Sequence, residues 1–234
     1  YAAARQVRLR SLVWIRWIAV VGQLAALLIV QFGFGWNLPI TAALAAVAAS
    51  VILNVAMTFR RPLQGRLGEL EAAAYLGFDI LQLAVLLYLT GGLSNPFALL
   101  FLGPVTVSAS ILSRSATVVL SALVVICASL LAFYHQPLPW GAEGLKLPVL
   151  YIGGLWVAVI VGTLFLAGYI GNVAGEGRRM SNALAATQLA LAREQQLSAV
   201  GGLAAAAAHE LGSPLATIAV TTKELTREFP ADSP

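Results

Sequence analysis

The sequence contains little charge, one cysteine and two histidines. Only 10% of its 234 residues are charged, 59% are hydrophobic, and the mean hydropathy is +0.86. Soluble domains carry charge on roughly a quarter of their residues, whereas disordered chains combine high charge with low hydrophobicity. Both classes are therefore excluded, and the composition predicts an integral membrane protein.

The scarcity of cysteine and histidine excludes several kinds of site. Because Cys127 is the single cysteine, the sequence holds no internal disulfide and no paired-cysteine redox or metal site. His135 and His209 are predicted on opposite sides of the membrane, so a zinc site would have to combine His209 with carboxylates alone. No metal site is predicted.

Long apolar runs dominate the first 170 residues and predict six transmembrane helices. The runs are Leu12–Phe34, Leu38–Phe59, Ala72–Thr90, Phe97–Leu112, Thr117–Tyr134 and Pro148–Ile170. Helices are expected because backbone groups in lipid must be satisfied within the segment, and the alternation of barrel strands is missing. The fourth run is short, since an α-helix of that length reaches about 24 Å and the hydrocarbon core is about 30 Å thick.

Basic residues predict the orientation of these helices. Nine arginines flank the ends that would face one side, and Lys146 alone lies on the other. The nine are Arg5, Arg8, Arg10, Arg60, Arg61, Arg66, Arg114, Arg178 and Arg179. Because cytoplasmic loops carry the excess of lysine and arginine, both termini are predicted in the cytoplasm. The net charge of +4 is thus assigned to topology, and no direct nucleic-acid partner is predicted.

Two charged residues lie inside the predicted spans. Asp79 is deep in the third span, where an ionisable group indicates a functional role by default. We expect it to face the helix bundle and to hydrogen-bond Asn54, Gln82 or Gln23, and its role in structure or in ligand and proton chemistry stays open. Arg16 is expected to extend toward the inner headgroups.

The C-terminal part is polar and helix-prone from about Gly175 to about Glu228, and residues 229–234 are predicted to break the helix. Three segments are therefore predicted. A transmembrane sensor domain occupies residues 1–172, a helical linker residues 173–198, and part of a soluble domain residues 199–234.

A seven-residue motif in the soluble part, His209 to Leu215 (H-E-L-G-S-P-L), predicts phosphoryl chemistry. A neutral imidazole is a competent nucleophile near pH 7. Glu210 can accept the imidazole proton and hold the attacking tautomer. Ser213 lies four residues on, on the same helical face as His209, and Pro214 can bend the helix. The motif resembles the H-box of sensor histidine kinases, in which His209 would be the phosphoacceptor.

A second motif, G-G-L-S-N-P-F at residues 91–97, separates the third and fourth spans. Its glycines free the backbone, Asn95-Pro96 favours a turn, and Phe97 offers an aromatic face. With the short fourth span, it predicts either local thinning of the bilayer or a loop that dips below the surface and lines a cavity. Such a cavity suits a flat, lipid-soluble ligand with carbonyl oxygens, such as a quinone. A plain helix-turn-helix is the alternative.

Together, the six spans, the loop and the H-box resemble the RegB/PrrB-type redox-responsive sensor histidine kinases of proteobacteria, over the whole chain. The resemblance implies a homodimer in the bacterial inner membrane that passes phosphate from His209 to a cytoplasmic response regulator. It implies ubiquinone as the sensed ligand, bound by Gly91, Gly92, Asn95, Pro96 and Phe97. A phosphatase role for Ser213 would follow only in part, because the family has Thr or Asn there. Cys127 precedes His209, so it is not assigned the family's redox role.

No nucleotide-binding motif is present, and residues 199–234 supply only the first helix of the dimerisation and phosphoacceptor hairpin. ATP is therefore expected to bind a domain outside this sequence, and the chain alone is expected not to autophosphorylate. The sequence leaves two alternative functions open. One is a six-span transporter or channel with a C-terminal interaction helix, and the other is a non-catalytic scaffold.

Overall fold

A computed structural model describes residues 7–60, 66–137 and 147–228. The helices are α1 (Leu9–Leu28), α2 (Ile40–Arg60), α3 (Glu69–Leu89), α4 (Leu102–Ile111), α5 (Arg114–Phe133) and α6 (Val149–Glu228). A π-helical turn, Ile29–Gly33, follows α1, and two 3₁₀ segments, Gly92–Ser94 and Pro96–Phe101, precede α4. Two short strands, β1 (Val7–Arg8) and β2 (Arg66–Leu67), pair antiparallel. The predicted all-helical membrane fold is confirmed.

Five helical segments in the described part of the chain are long and apolar enough to cross a membrane. They are Leu12–Gly33, Ile40–Phe59, Glu69–Leu89, Arg114–Phe133 and the apolar portion of α6. The segment Pro96–Ile111 is also apolar but shorter, as the sequence predicts. Arg5, Arg61 and Lys146 of the topology prediction, and the predicted break at 229–234, lie outside the described residues.

The short segment gains length because it does not begin as an α-helix. Its first six residues, Pro96–Phe101, form a 3₁₀ helix. A 3₁₀ helix rises about 2.0 Å per residue, compared with about 1.5 Å in an α-helix. The segment therefore spans about 27 Å, where α geometry throughout gives about 24 Å. The predicted shortfall against the hydrocarbon core of about 30 Å is therefore about halved.

Hydrogen bonds near the ends of the helices join segments predicted on the same side of the membrane. At the side predicted to be cytoplasmic, Val7 pairs with Leu67, and the backbone N–H of Ser113 donates to Glu69 Oε1 at 2.8 Å. At the other side, the backbone N–H of Gln136 donates to the carbonyl of Tyr88 at 2.8 Å. The helix ends thus alternate as consecutive membrane crossings require.

Two apolar clusters hold the membrane helices together. The larger joins α3, α4 and α5 and contains the fully buried Ile80, Phe101, Val105 and Val124. Cys127 is one of its members. The smaller joins α1, α2 and α3 and includes Val20, Leu27, Ala43 and Leu86. Trp156 at the start of α6 attaches to α5, because its Nε1 donates to Ser129 Oγ at 3.0 Å.

The chain divides into two compact units, Tyr1–Glu176 and Gly177–Pro234. No break in helical structure occurs at the predicted boundaries near residues 172 and 198, because both fall inside α6. Every residue from 181 to 228 is exposed. The apolar side chains of residues 181–228 are therefore uncovered.

Candidate ligand cavity and phosphoacceptor helix

The backbone conformation at residues 91 and 92 of the 91–97 motif favours glycine. Gly91 has φ +106° and Gly92 has φ +58°, in the left-handed region that favours glycine. A Cβ on Gly92 would also lie 2.6 Å from the carbonyl oxygen of Leu131 and from the ring of His135. His135 therefore packs against this loop. These glycines shape the loop, and their place in a ligand set stays a prediction.

Asn95 organises the start of the fourth span. Its Oδ1 accepts from the backbone N–H of Phe97 at 2.9 Å, which caps the 3₁₀ helix. Its Nδ2 donates to the carbonyl oxygen of Thr90 at 3.0 Å and to Thr90 Oγ1 at 2.8 Å. Both amide hydrogens are therefore used inside the loop. Asn95 fixes the loop's shape and presents no spare donor to a ligand.

A cavity of about 800 Å³ lies beside this loop, within the first unit. Its size falls within the roughly 300–1,000 Å³ of typical ligand pockets. Residues of α1, α3 and the fourth span line it, and its walls are almost entirely apolar. Of the five predicted loop residues, Asn95, Pro96 and Phe97 line the cavity. The predicted association of this loop with a cavity is thus present in the structure.

A buried ion pair forms part of the cavity wall. Arg16 Nε donates to Asp79 at 2.8 Å (Oδ1) and 3.1 Å (Oδ2), and Arg16 Nη2 lies 2.8 Å from Oδ1. Nη2 also donates to the carbonyl of Tyr75 at 2.9 Å. The guanidinium carbon lies 5.3 Å from the centroid of the Tyr75 ring and 5.7 Å from that of Phe78, within cation–π range.

This pair corrects two predictions. Arg16 does not extend to the headgroups, because it is only 5% exposed and turns into the bundle. Asp79 faces the bundle as predicted, but its partner is Arg16 instead of Asn54, Gln82 or Gln23. The physical reason is that a buried charge needs an opposite charge with good hydrogen-bond geometry. A ligand role for Asp79 stays a prediction.

A pair of glutamines joins α1 to α3 in the cavity wall. Gln23 Nε2 donates to Gln82 Oε1 at 3.3 Å, and Gln82 Nε2 donates to Gln23 Oε1 at 3.0 Å. Both side chains line the cavity. The sequence analysis predicted both residues as possible partners of Asp79 and did not predict that they bond to each other. The sequence signal for this pair was a glutamine within the first apolar run and another within the third.

The H-E-L-G-S-P-L motif, residues 209–215, lies on the exposed second part of α6. His209, Glu210 and Ser213 are all exposed, and Pro214 lies inside the helix without ending it. His209 and Ser213 share a helical face because they are four residues apart. Their roles in phosphoryl chemistry stay predictions. Across the described ranges, no three His, Cys, Asp or Glu side chains come together as a metal site would require.

Comparison with known proteins gives one family profile and two similar curated proteins. The six-transmembrane profile of the PilS-like transmembrane domain matches residues 3–185. Two curated proteins of Cereibacter sphaeroides, each named sensor histidine kinase RegB, are 49% identical to the chain over 223 and 224 residues. These matches cover 95% of this chain and 48% of each relative. No solved structure matches.

These comparisons confirm the resemblance to RegB-type sensor kinases, although the chain spans about half the length of the curated relatives it matches. The helices and the profile agree on a multi-pass membrane protein. Because the profile covers residues 3–185, which is most of the sequence, the chain belongs to the family of PilS-like transmembrane domains.

Proposed function

We propose that this chain is the sensing and phosphoacceptor part of a membrane sensor histidine kinase in a two-component system. The observation that carries the proposal is an exposed H-E-L-G-S-P-L motif that follows a PilS-like transmembrane domain. The 49% identity to proteins named sensor histidine kinase supports it. The proposed location is the bacterial inner membrane with both termini in the cytoplasm, as the distribution of basic residues predicts.

In the proposed reaction, an imidazole nitrogen of His209 attacks the γ-phosphorus of ATP. A nitrogen–phosphorus bond forms, the bond between the γ-phosphorus and the bridging oxygen breaks, and ADP leaves. Glu210 accepts the proton of the imidazole and keeps the ring in the attacking tautomer. The phosphoryl group then passes to an aspartate of a response regulator. ATP is held by a domain outside this sequence, which positions the γ-phosphoryl group.

The apolar residues of the same helix support a homodimer. Leu211, Leu215, Ile218, Thr222 and Leu225 follow one another at alternating steps of four and three residues, the spacing of a coiled-coil seam. The four apolar members are more than half exposed. A second copy of the helix would cover this seam. His209 and Ser213 fall at heptad positions away from it, where another domain could reach them.

We further propose that the cavity holds the ring of a quinone such as ubiquinone. Apolar walls with a few polar groups suit a lipid-soluble ring that carries oxygen atoms. Asn95, Pro96 and Phe97 of the loop line the cavity. The ligand can control the kinase only if two conformations of the protein bind it with different affinity.

The phosphoacceptor proposal is tested with the full-length protein in lipid nanodiscs and labelled ATP. We expect His209→Gln to abolish labelling, while Ser213→Ala, on the same face of the helix, keeps it. The 234-residue chain alone is expected to remain unlabelled. Labelling that persists in His209→Gln contradicts the proposal.

The cavity proposal is tested by the binding of a short-chain ubiquinone to the same preparation, with empty nanodiscs subtracted. We expect Pro96→Ala combined with Phe97→Ala to raise Kd about tenfold, the equivalent of roughly 1.4 kcal/mol. Phe133→Ala is the matched control, because Phe133 is an exposed aromatic residue that does not line the cavity. An unchanged Kd in the double variant rules out this site.

The transporter alternative loses one of its supports. Six spans, a short fourth span and an ionisable residue, Asp79, inside the third span are compatible with a transporter. In the structure that carboxylate is bound to Arg16 at both oxygens, so it is not available as a simple proton or ion site.

A further inference from the structure

The glutamine pair forms a polar layer within an otherwise apolar cavity. Gln82 precedes Thr90 by eight residues on α3, so the layer lies about 12 Å from the loop along the helix axis. Both glutamines line the cavity, and Gln82 is 7% exposed. A ligand that contacts the loop would therefore find this layer about 12 Å further along the cavity wall.

Each glutamine of this pair has hydrogen-bonding groups that the pair itself does not use. Each glutamine amide has two N–H donors and an oxygen with two lone pairs. The reciprocal bonds use one donor and one lone pair on each side chain. Within the part of the chain that the structure describes, Gln23 and Gln82 make no other side-chain hydrogen bond. One donor and one lone pair on each amide therefore remain for a ligand.

Four of the other polar side chains that line the cavity are already engaged. Arg16 and Asp79 hold each other, and both amide hydrogens of Asn95 are bound to Thr90. The hydroxyl of Thr90 in turn donates to the carbonyl of Leu86 at 2.7 Å. The glutamine pair thus has more free hydrogen-bonding capacity than these four side chains.

We infer that Gln23 and Gln82 bind the ring oxygens of the ligand. This inference rests on the proposed quinone site. A quinone carbonyl would accept the spare N–H of either amide. A quinol hydroxyl would donate to the spare lone pair of the same amide. Because an amide both donates and accepts, the pair holds the oxidised and the reduced ring alike. Discrimination between redox states then lies in other residues.

The test uses the full-length protein in nanodiscs with a short-chain ubiquinone and its quinol. Gln23→Met combined with Gln82→Met removes both amides together at nearly constant volume, so neither amide is left without its partner. We expect Kd to rise about tenfold for both redox forms, with their ratio unchanged within about twofold. Thr106→Val is the control, since it removes a polar group of the fourth span that does not line the cavity. It should change Kd less than twofold.

A second measurement needs no variant. The carbonyl stretch of a ¹³C-labelled quinone should shift to lower frequency on binding to the wild-type protein, as expected for a hydrogen-bonded carbonyl. Absence of this shift, or wild-type Kd values in the double methionine variant, overturns the inference. Weakening of one redox form alone overturns the common-anchor role. If the wild-type protein shows no saturable binding of the quinone, the quinone site itself is refuted. If the Pro96→Ala, Phe97→Ala variant binds weakly but the double methionine variant binds normally, only the role of the two glutamines is refuted.

Discussion

At the scale of single residues, the Arg16–Asp79 pair is the most consequential arrangement in the membrane unit. It links α1 to α3, and Arg16 also bonds the Tyr75 carbonyl. Two charges removed from water are stable only while they remain paired. The pair therefore fixes the relative position of two helices that line the cavity.

We expect Arg16→Met to lower the free energy of unfolding by about 3 to 5 kcal/mol, because Asp79 is left charged and without its partner. Combining Arg16→Met with Asp79→Leu should restore most of this loss, since the double variant removes both charges. Thermal unfolding of the purified protein in detergent measures the effect. A single variant as stable as the wild type would show that the pair contributes nothing to stability.

Individual residues also show what the sequence could predict. The order of residues 209–215 is informative by itself, because a histidine beside a carboxylate is suited to accept a phosphoryl group. The Arg16–Asp79 and Gln23–Gln82 pairs join residues 63 and 59 positions apart. Their detection requires knowing which helices are neighbours and how each is rotated. Hydropathy specifies neither, because it measures composition along a segment and not the direction of a side chain.

At the scale of elements, spans were predictable because the bilayer imposes their length. The apolar runs and the observed helices agree to within a few residues at most ends, as for the run Leu38–Phe59 and the helix Ile40–Arg60. The 3₁₀ start of the fourth span was not predicted. It depends on Asn95 capping Phe97 while also holding Thr90, a local network that an apolar pattern does not reveal.

The apolar seam on the second part of α6 gives a prediction at this scale. We expect Ile218→Lys to raise the dissociation constant of the dimer at least about tenfold, because each copy would place a charge in the shared interface. Val220→Lys is the matched control. Val220 is 59% exposed, similar to Ile218 at 61%, but it lies off the seam.

Sedimentation equilibrium of the full-length protein in detergent measures this effect. If both lysine variants dimerise as the wild type does, the seam of α6 is not the dimer interface. If both fail equally, added charge is the cause and not the position of the side chain.

At the scale of the whole molecule, the small amount of charge has two uses. Outside the membrane, arginines predict which side each connection faces. Inside it, Arg16 and Asp79 neutralise each other. The contacts Glu69–Ser113 and Tyr88–Gln136 join connections predicted on the same side. Sequence and structure therefore agree on the alternation of the helices, while the absolute orientation is a prediction that needs its own test.

Cysteine labelling in intact bacteria tests that orientation. In a Cys127→Ser background, Gln136→Cys should react with a membrane-impermeant maleimide added outside, because Gln136 is exposed at the side predicted to face the periplasm. Ser115→Cys and Thr226→Cys, also at exposed positions, should react only after the inner membrane is opened. The reverse pattern would place the H-box helix in the periplasm, away from cytoplasmic ATP, and would contradict the kinase proposal along with the topology.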